Sequence, residues 1–292
     1  MSDNGPEVTG FFDPATCSIS YLVTDPATGA AAIVDPVLDF DPKAARTSTA
    51  AADRIVQAAA ALRVEWILET HTHADHLSAA LYLRGKLGAR VGIGAHVTEV
   101  QRTWKQLLNL GADFRADGSQ FDRLFVEGEE LRLGTLTVTV WHTPGHTPAC
   151  VTYVVRGSRG PACAFVGDTL FMPDYGTARA DFPGGDARRL FQSIRRILSL
   201  PPDTRIFVAH DYQPGGREVA FETTVAAQRQ ANVHVKDGVG ADEFVTFRTM
   251  RDKTLGQPTL LLPSIQVNIR AGALPPPDET GTSYLKIPLN RF

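Results

Sequence analysis

The chain has 292 residues, of which 43% are hydrophobic and 21% charged, and a net charge of -3. This is the composition of an ordinary globular protein, long enough for one large domain or two small ones. With no long basic run it indicates neither nucleic acid nor an anionic membrane as a partner, and no apolar run is long enough to span a bilayer.

Residues 1–7 lack the positive n-region and apolar core of a signal peptide. Cys17, Cys150 and Cys163 form an odd, unclustered set without a C-x-x-C pair, as expected of reduced thiols in the cytoplasm. Apolar patterning and turn residues predict short strands over 8–12, 18–24 and 31–34, broken by Asp13-Pro14, the stretch 25–29 and Asp35-Pro36. Asp35 reads either as a turn former or as a support for a metal shell on the neighbouring strand. An alanine-rich helix is predicted over 47–62, with Ile55, Val56, Ala59 and Leu62 on one face.

A buried strand over 64–69 then leads into His71-Thr72-His73-Ala74-Asp75-His76, and helical spacing resumes over 77–87. Three imidazoles and a carboxylate on a strand-to-helix loop make a metal site, because a rigid scaffold presents functional side chains on such loops. In extended backbone His71 and His73 point the same way, while Asp75 and His76 can face a second point nearby, so the loop can serve one metal or two. A strand follows over 90–93 and a helix over 97–110, with Trp104, Leu107 and Leu108 as core. His96 reads as a surface residue before that helix.

From residue 124 strands dominate, over 125–126, 130–133, 135–140, 150–155 and 162–166. A helix over 184–200, a strand over 205–209, and helices over 218–230 and 242–255 complete the pattern. Residues 236–292 read as an extension packed on the same domain, with 1–235 as the catalytic domain. The order of elements suggests two sheets packed face to face with helices outside. His142, Asp168 and His210 each follow a strand, and such strand ends converge on one sheet edge. His146 reads as a turn residue or a support for a ligand, His234 as a surface histidine, and Cys150 as a buried core thiol.

The H-x-H-x-D-H run, His142 before Thr143-Pro144-Gly145-His146-Thr147, Gly167-Asp168-Thr169 and His210 together resemble the metallo-β-lactamase superfamily. The resemblance implies an α+β fold, the αβ/βα sandwich of two mixed β-sheets flanked by helices, with metal at the loop edge. It also implies His71, His73, His142 and Asp168 for a first metal position, and Asp75, His76, Asp168 and His210 for a second.

The 142–153 stretch, Gly167 to Phe171, Arg179-Ala180-Asp181-Phe182, His210-Asp211-Tyr212 and the 262–268 tail are closer still to the persulfide dioxygenases, in particular the bacterial branch of β-lactamase-hydrolase-like proteins. That resemblance implies one Fe(II) per chain, held by His71, His142 and Asp168, with His73, Asp75, His76 and His210 orienting them. It further implies glutathione persulfide and O2 as substrates and a homodimer as the assembly. Residues 172–177 make a longer loop than animal-type members carry. A carboxylate-bearing substrate calls for a guanidinium fork. Arg179 is the candidate, with a structural arginine the even alternative, and Tyr212 is either a hydrogen-bond donor near the metal or a packing residue. The competing reading is a glyoxalase II-type thioester hydrolase, in which two zinc ions roughly 3.5–4 Å apart share a hydroxide. No ligand for it is missing. Sequence context favours the dioxygenase.

Overall fold

The computed structural model describes residues 5–291, so the first four residues of the N-terminal stretch lie outside it. One six-stranded sheet is built from β1 (Glu7–Asp13), β2 (Ser18–Thr24), β3 (Ala30–Val34), β6 (Arg63–Glu69), β8 (Arg90–Gly94) and β9 (Arg123–Phe125), in that spatial order. A small third sheet joins β5 (Arg46–Ser48), β4 (Val37–Asp41) and β7 (Leu77–Ser78). The second six-stranded sheet runs in chain order through β10 (Glu130–Leu133), β11 (Leu136–His142), β12 (Val151–Arg156), β13 (Cys163–Phe165), β14 (Arg205–Phe207) and β15 (Glu222–Thr224). Both large sheets are mixed. The β3–β6, β6–β8, β8–β9 and β13–β14 pairs are parallel and the others antiparallel.

Period-two alternation explains the layering. Tyr21, Val23, Ala32, Val34, Trp66 and Leu68 face Val138, Val140, Tyr153, Val155, Phe165 and Phe207 between the sheets. Their sequence neighbours Leu22, Ala31, Ile33 and Ile67 face the other way, onto α1 (Ala50–Ala58), α2 (Ala80–Leu87) and α3 (Val97–Leu107). Val154, Ala164 and Ile206 likewise pack against α4 (Ala187–Ile197), α5 (Val225–Ala231) and α6 (Ala241–Asp252). Strands covered on both faces read as continuous apolar runs, as these do. The result is the expected αβ/βα sandwich. No helix of the described residues is long and apolar enough to cross a membrane.

Several predicted helices start late because polar side chains fix their first turn. The 47–62 prediction shortens to α1, since Arg46–Ser48 pairs with β4 and the Asp39 carboxylate accepts the Ala51 N–H at 2.9 Å. The 77–87 prediction loses Leu77–Ser78 to pairing with Val37 and Leu38, and the Ser78 hydroxyl accepts the Ala80 N–H at 3.0 Å. In the 218–230 prediction, β-branched Thr223 and Thr224 pair with β14, and Thr224 caps α5 through the Ala227 N–H.

The parallel pairs place the carboxyl ends of β3, β6, β13 and β14 at one edge, where the candidate ligands gather. The last helix, α7 (Leu261–Asn268), fastens that edge. Asn268 donates to the carbonyls of His73 (2.9 Å) and His76 (2.8 Å) and accepts the Ser78 N–H at 2.8 Å. All three bonds are buried, so their loss leaves two carbonyls and one N–H without partners. Asn268→Ala should therefore cost about 2–4 kcal/mol in chemical denaturation. A loss under about 0.5 kcal/mol, the scale of a neutral surface change, would show the clamp to be unimportant.

Candidate metal centre

Three buried donors face one another where the two sheets meet. Asp168 Oδ2 lies 3.9 Å from His71 Nε2 and 3.6 Å from His146 Nε2. The three side chains form a group compact enough to share one ion. Donors each about 2.1 Å from an ion lie roughly 3–4.2 Å apart, so these spacings fit.

Hydrogen bonding behind the two rings fixes which nitrogen is free. The Thr70 hydroxyl has one hydrogen and gives it to Asp35 Oδ2 at 2.7 Å. Towards His71 Nδ1, 3.0 Å away, it can then only accept, so His71 carries its proton on Nδ1. His146 Nδ1 donates to the Arg179 carbonyl at 2.9 Å, with the same consequence. Both Nε2 lone pairs are left for a metal. Burial, and then the neighbouring His73 and His146, hold the His71 pKa well below its usual value and keep the ring neutral, as a ligand must be.

The backbone around these residues is committed to the same end. Asp35, at φ 49°, also accepts the Thr70 N–H at 2.7 Å, which answers the open sequence reading in favour of support for the metal loop. Gly167, at φ 50°, lies against Thr70. A β-carbon there would sit 2.5 Å from the threonine hydroxyl oxygen, so only glycine lets Asp168 approach. Thr70 O accepts the Val151 N–H at 2.9 Å, tying β12 to the loop after β6.

A second set of polar groups adjoins the triangle. Asp75 Oδ2 accepts from Ser18 Oγ at 3.0 Å and lies 2.9 Å from His76 Nδ1 and 3.3 Å from His210 Nε2. His210 Nε2 is also 3.4 Å from Asp168 Oδ1. Burial opposes its charge, but Asp168 and Asp75 outweigh burial and push its pKa to about 9. His73 turns away from the triangle: its Nε2 lies 3.0 Å from Asp35 Oδ1 and 3.4 Å from Glu69 Oε2. Burial is again outweighed, first by Asp35, and the His73 pKa is raised.

His142 does not join this group, and the sequence expectation is corrected in favour of His146. The strand β11 runs two residues further than predicted, so His142 is still paired with Val151 rather than released into a loop. Its ring stacks on His96 with centroids 4.1 Å apart, and its Nε2 donates to the Pro148 carbonyl at 2.8 Å. The turn that follows carries His146 to the triangle instead. The signal for it was in the chain: His146 is the only histidine inside the turn between β11 and β12.

The triangle opens on a cavity of about 1170 Å³ walled by Phe171, Tyr175, Phe182, Tyr212 and Phe247. Arg179 lines it, but its fork is spent on Asp181 (2.6 and 2.7 Å) and on the Gly256 carbonyl (2.7 Å). The structural reading of Arg179 is the one that fits, with its backbone carbonyl orienting His146. Tyr212 stacks on Tyr175 and His210 (centroids 4.6 and 5.4 Å), and its hydroxyl has no partner among the described residues. Cys150 is buried, and burial pushes its pKa to about 12, as suits a core thiol.

The residues fit a metal. His71 Nε2 and Asp168 Oδ1 are buried without a hydrogen-bond partner among the described residues, a costly state that an ion relieves. His146→Ala should lower metal affinity more than about 100-fold, and Thr70→Val, which loosens His71 only, about 10–100-fold. His142→Ala should keep wild-type affinity in competition with a chelator. Equal losses in His142→Ala and His146→Ala would refute the assignment.

The metallo-β-lactamase superfamily profile matches residues 18–210. The chain is 58% identical over 290 residues to the "Probable metallo-hydrolase" of Burkholderia pseudomallei, covering 97% of this chain and 99% of that one. It is 53% identical over 287 residues to the β-lactamase hydrolase-like protein of Agrobacterium fabrum, covering 98% of this chain but only 65% of that longer protein. Human mitochondrial persulfide dioxygenase ETHE1 is 30% identical over 266 residues, with 91% and 88% covered. The crystal structure of ETHE1 from Myxococcus xanthus superposes with a TM-score of 0.71 at 28% identity, covering 91% of this chain and all of that one. By profile, by sequence and by the triangle at its sheet edge, the chain belongs to the metallo-β-lactamase superfamily.

Proposed function

We propose that the protein is an Fe(II)-dependent persulfide dioxygenase that converts glutathione persulfide, O2 and water to glutathione, sulfite and two protons. One observation carries the reading. The donors gathered at the triangle are two imidazoles and one carboxylate, while His73 turns to Asp35 and Glu69. Two histidines and a carboxylate on one face leave coordination positions open, the donor set of non-haem iron oxygenases. Fe(II) held by His71, His146 and Asp168 would supply the redox chemistry that a reaction with O2 needs. The similarity to two ETHE1 proteins supports the same choice.

The chain's own residues supply the rest. Thr70 and the Arg179 carbonyl hold the two imidazoles in the correct tautomer. His210 reaches both Asp75 and Asp168 and holds the two carboxylates in place beside the triangle. Phe171, Phe182 and Tyr212 make the mouth apolar, which limits water at the reacting sulfur. The homodimer and the cytoplasmic location implied by the sequence belong to this proposal.

A glyoxalase II-type hydrolase is the second reading. Asp75, Asp168 and His210 also lie close enough to share an ion, and the Burkholderia relative's name is hydrolytic. Against it, Asp75 is already engaged by Ser18, His76 and His210, and His73 does not face the triangle. Protein loaded anaerobically with iron should consume one O2 and release one sulfite per glutathione persulfide. The opposite pattern, cleavage of S-lactoylglutathione by zinc-loaded protein with no O2 uptake by the iron form, would establish the hydrolase.

A further inference from the structure

Four arginines line the cavity: Arg46, Arg179, Arg248 and Arg251. Two are saturated. Arg179 is held by Asp181, and Arg248 is buried against Asp252 at 2.6 and 2.8 Å while also donating to the Thr177 carbonyl. Arg46 lies directly opposite Asp41 in the β4–β5 pair, with Asp39 two residues further along β4. Both carboxylates line the cavity together with Arg46, so the charge there is mixed. Arg251, on α6, is exposed at the cavity wall, and its guanidinium has no hydrogen-bond or ion-pair partner among the described residues.

Beside it stands a second free donor. His234 accepts the Thr177 N–H on Nδ1 at 3.1 Å, which puts its proton on Nε2. That Nε2–H also has no partner among the described residues, and His234 lines the cavity. The ring rests on Phe247 with centroids 4.4 Å apart. It is seated by Gly176, at φ 102°, where a β-carbon would fall 2.1 Å from Nδ1. Burial, then Arg248 and Arg251, lower the His234 pKa to about 4, so the ring is a neutral donor at physiological pH.

A planar guanidinium and a fixed N–H on the same stretch of wall, with the nearby carboxylates already committed, suit a carboxylate. We propose that Arg251 and His234 form the subsite for a carboxylate of the thiol carrier, which in the reading above is glutathione. The longer 172–177 loop is part of this subsite, because Gly176 and Thr177 are what hold His234. The proposal rests on the chain's acting on glutathione-linked sulfur, and its test is built to fail separately from the oxygenase chemistry.

The test is calorimetric binding of glutathione and of glutathione dimethyl ester to anaerobic, metal-loaded protein, which requires no turnover. Wild type should bind glutathione about tenfold or more tightly than the ester, the scale of one lost charge-assisted carboxylate contact. Arg251→Gln should lose most of that preference, approaching the ester's affinity, with an unchanged melting temperature. His234→Gln should lose severalfold, and Arg251→Lys should regain part of the loss. In turnover, Arg251→Gln should raise KM for glutathione persulfide and leave kcat, since it removes binding common to ground and transition states. Wild-type binding of glutathione by Arg251→Gln, equal ester penalties in both proteins, or loss of discrimination in Arg46→Gln alone would overturn the subsite. Absence of O2 uptake with discrimination intact would leave the subsite standing and remove only the oxygenase reading.

Discussion

A single hydroxyl hydrogen sets the polarity of the metal edge. Thr70 gives it to Asp35, so the same oxygen must accept from His71, and the far nitrogen of that ring is left bare. Asp35 can play this part only because it stands in a left-handed conformation immediately after β3, beside the end of β6. The arrangement depends on parallel pairing. If β3 and β6 ran antiparallel, their carboxyl ends would lie at opposite edges and Asp35 could not reach Thr70.

The edge concentrates buried polar groups that a core would not tolerate alone. His71, His73, His76, Asp168 and His210 are all nearly inaccessible, and several of their donor atoms lack partners among the described residues. Burial on this scale is expensive unless the groups pair with each other or with an ion. Asp75 pairs with His76 and His210, and His73 with Asp35 and Glu69. What is left over is the triangle, and a strained local state of this kind is characteristic of functional sites. The C-terminal helix contributes by holding the loop's backbone, which separates the rigidity of the loop from the chemistry of its side chains.

The layers, the strand ends and the first histidine loop were legible because they rest on short-range patterns. Apolar runs bounded by polar and turn residues placed β2 and β6 almost to the residue, and Asp168 and His210 lie just beyond the strands expected to precede them. What misled was the length of a strand. Placing the end of β11 at Val140 released His142 into a loop and made it a ligand, whereas pairing with Val151 kept it in the sheet. Pairing partners lie too far along the chain for local propensity to reveal them. The same blindness hid β15 and the β4–β5 hairpin. Arg179 stayed open between two roles for a different reason: Asp181, which saturates it, lies only two residues away, but nothing in the sequence fixes that the two side chains meet. His234, taken for a surface residue, is half-buried in the cavity wall, a placement produced by Gly176 some sixty residues earlier.

Diffraction collected on either side of the iron absorption edge from anaerobically grown crystals tests the central assignment most directly. One anomalous peak per chain, bounded by His71 Nε2, His146 Nε2 and an Asp168 oxygen, is the result this account requires. A pair of peaks, with the second against Asp75 and His210, or a peak displaced to His73, would contradict it.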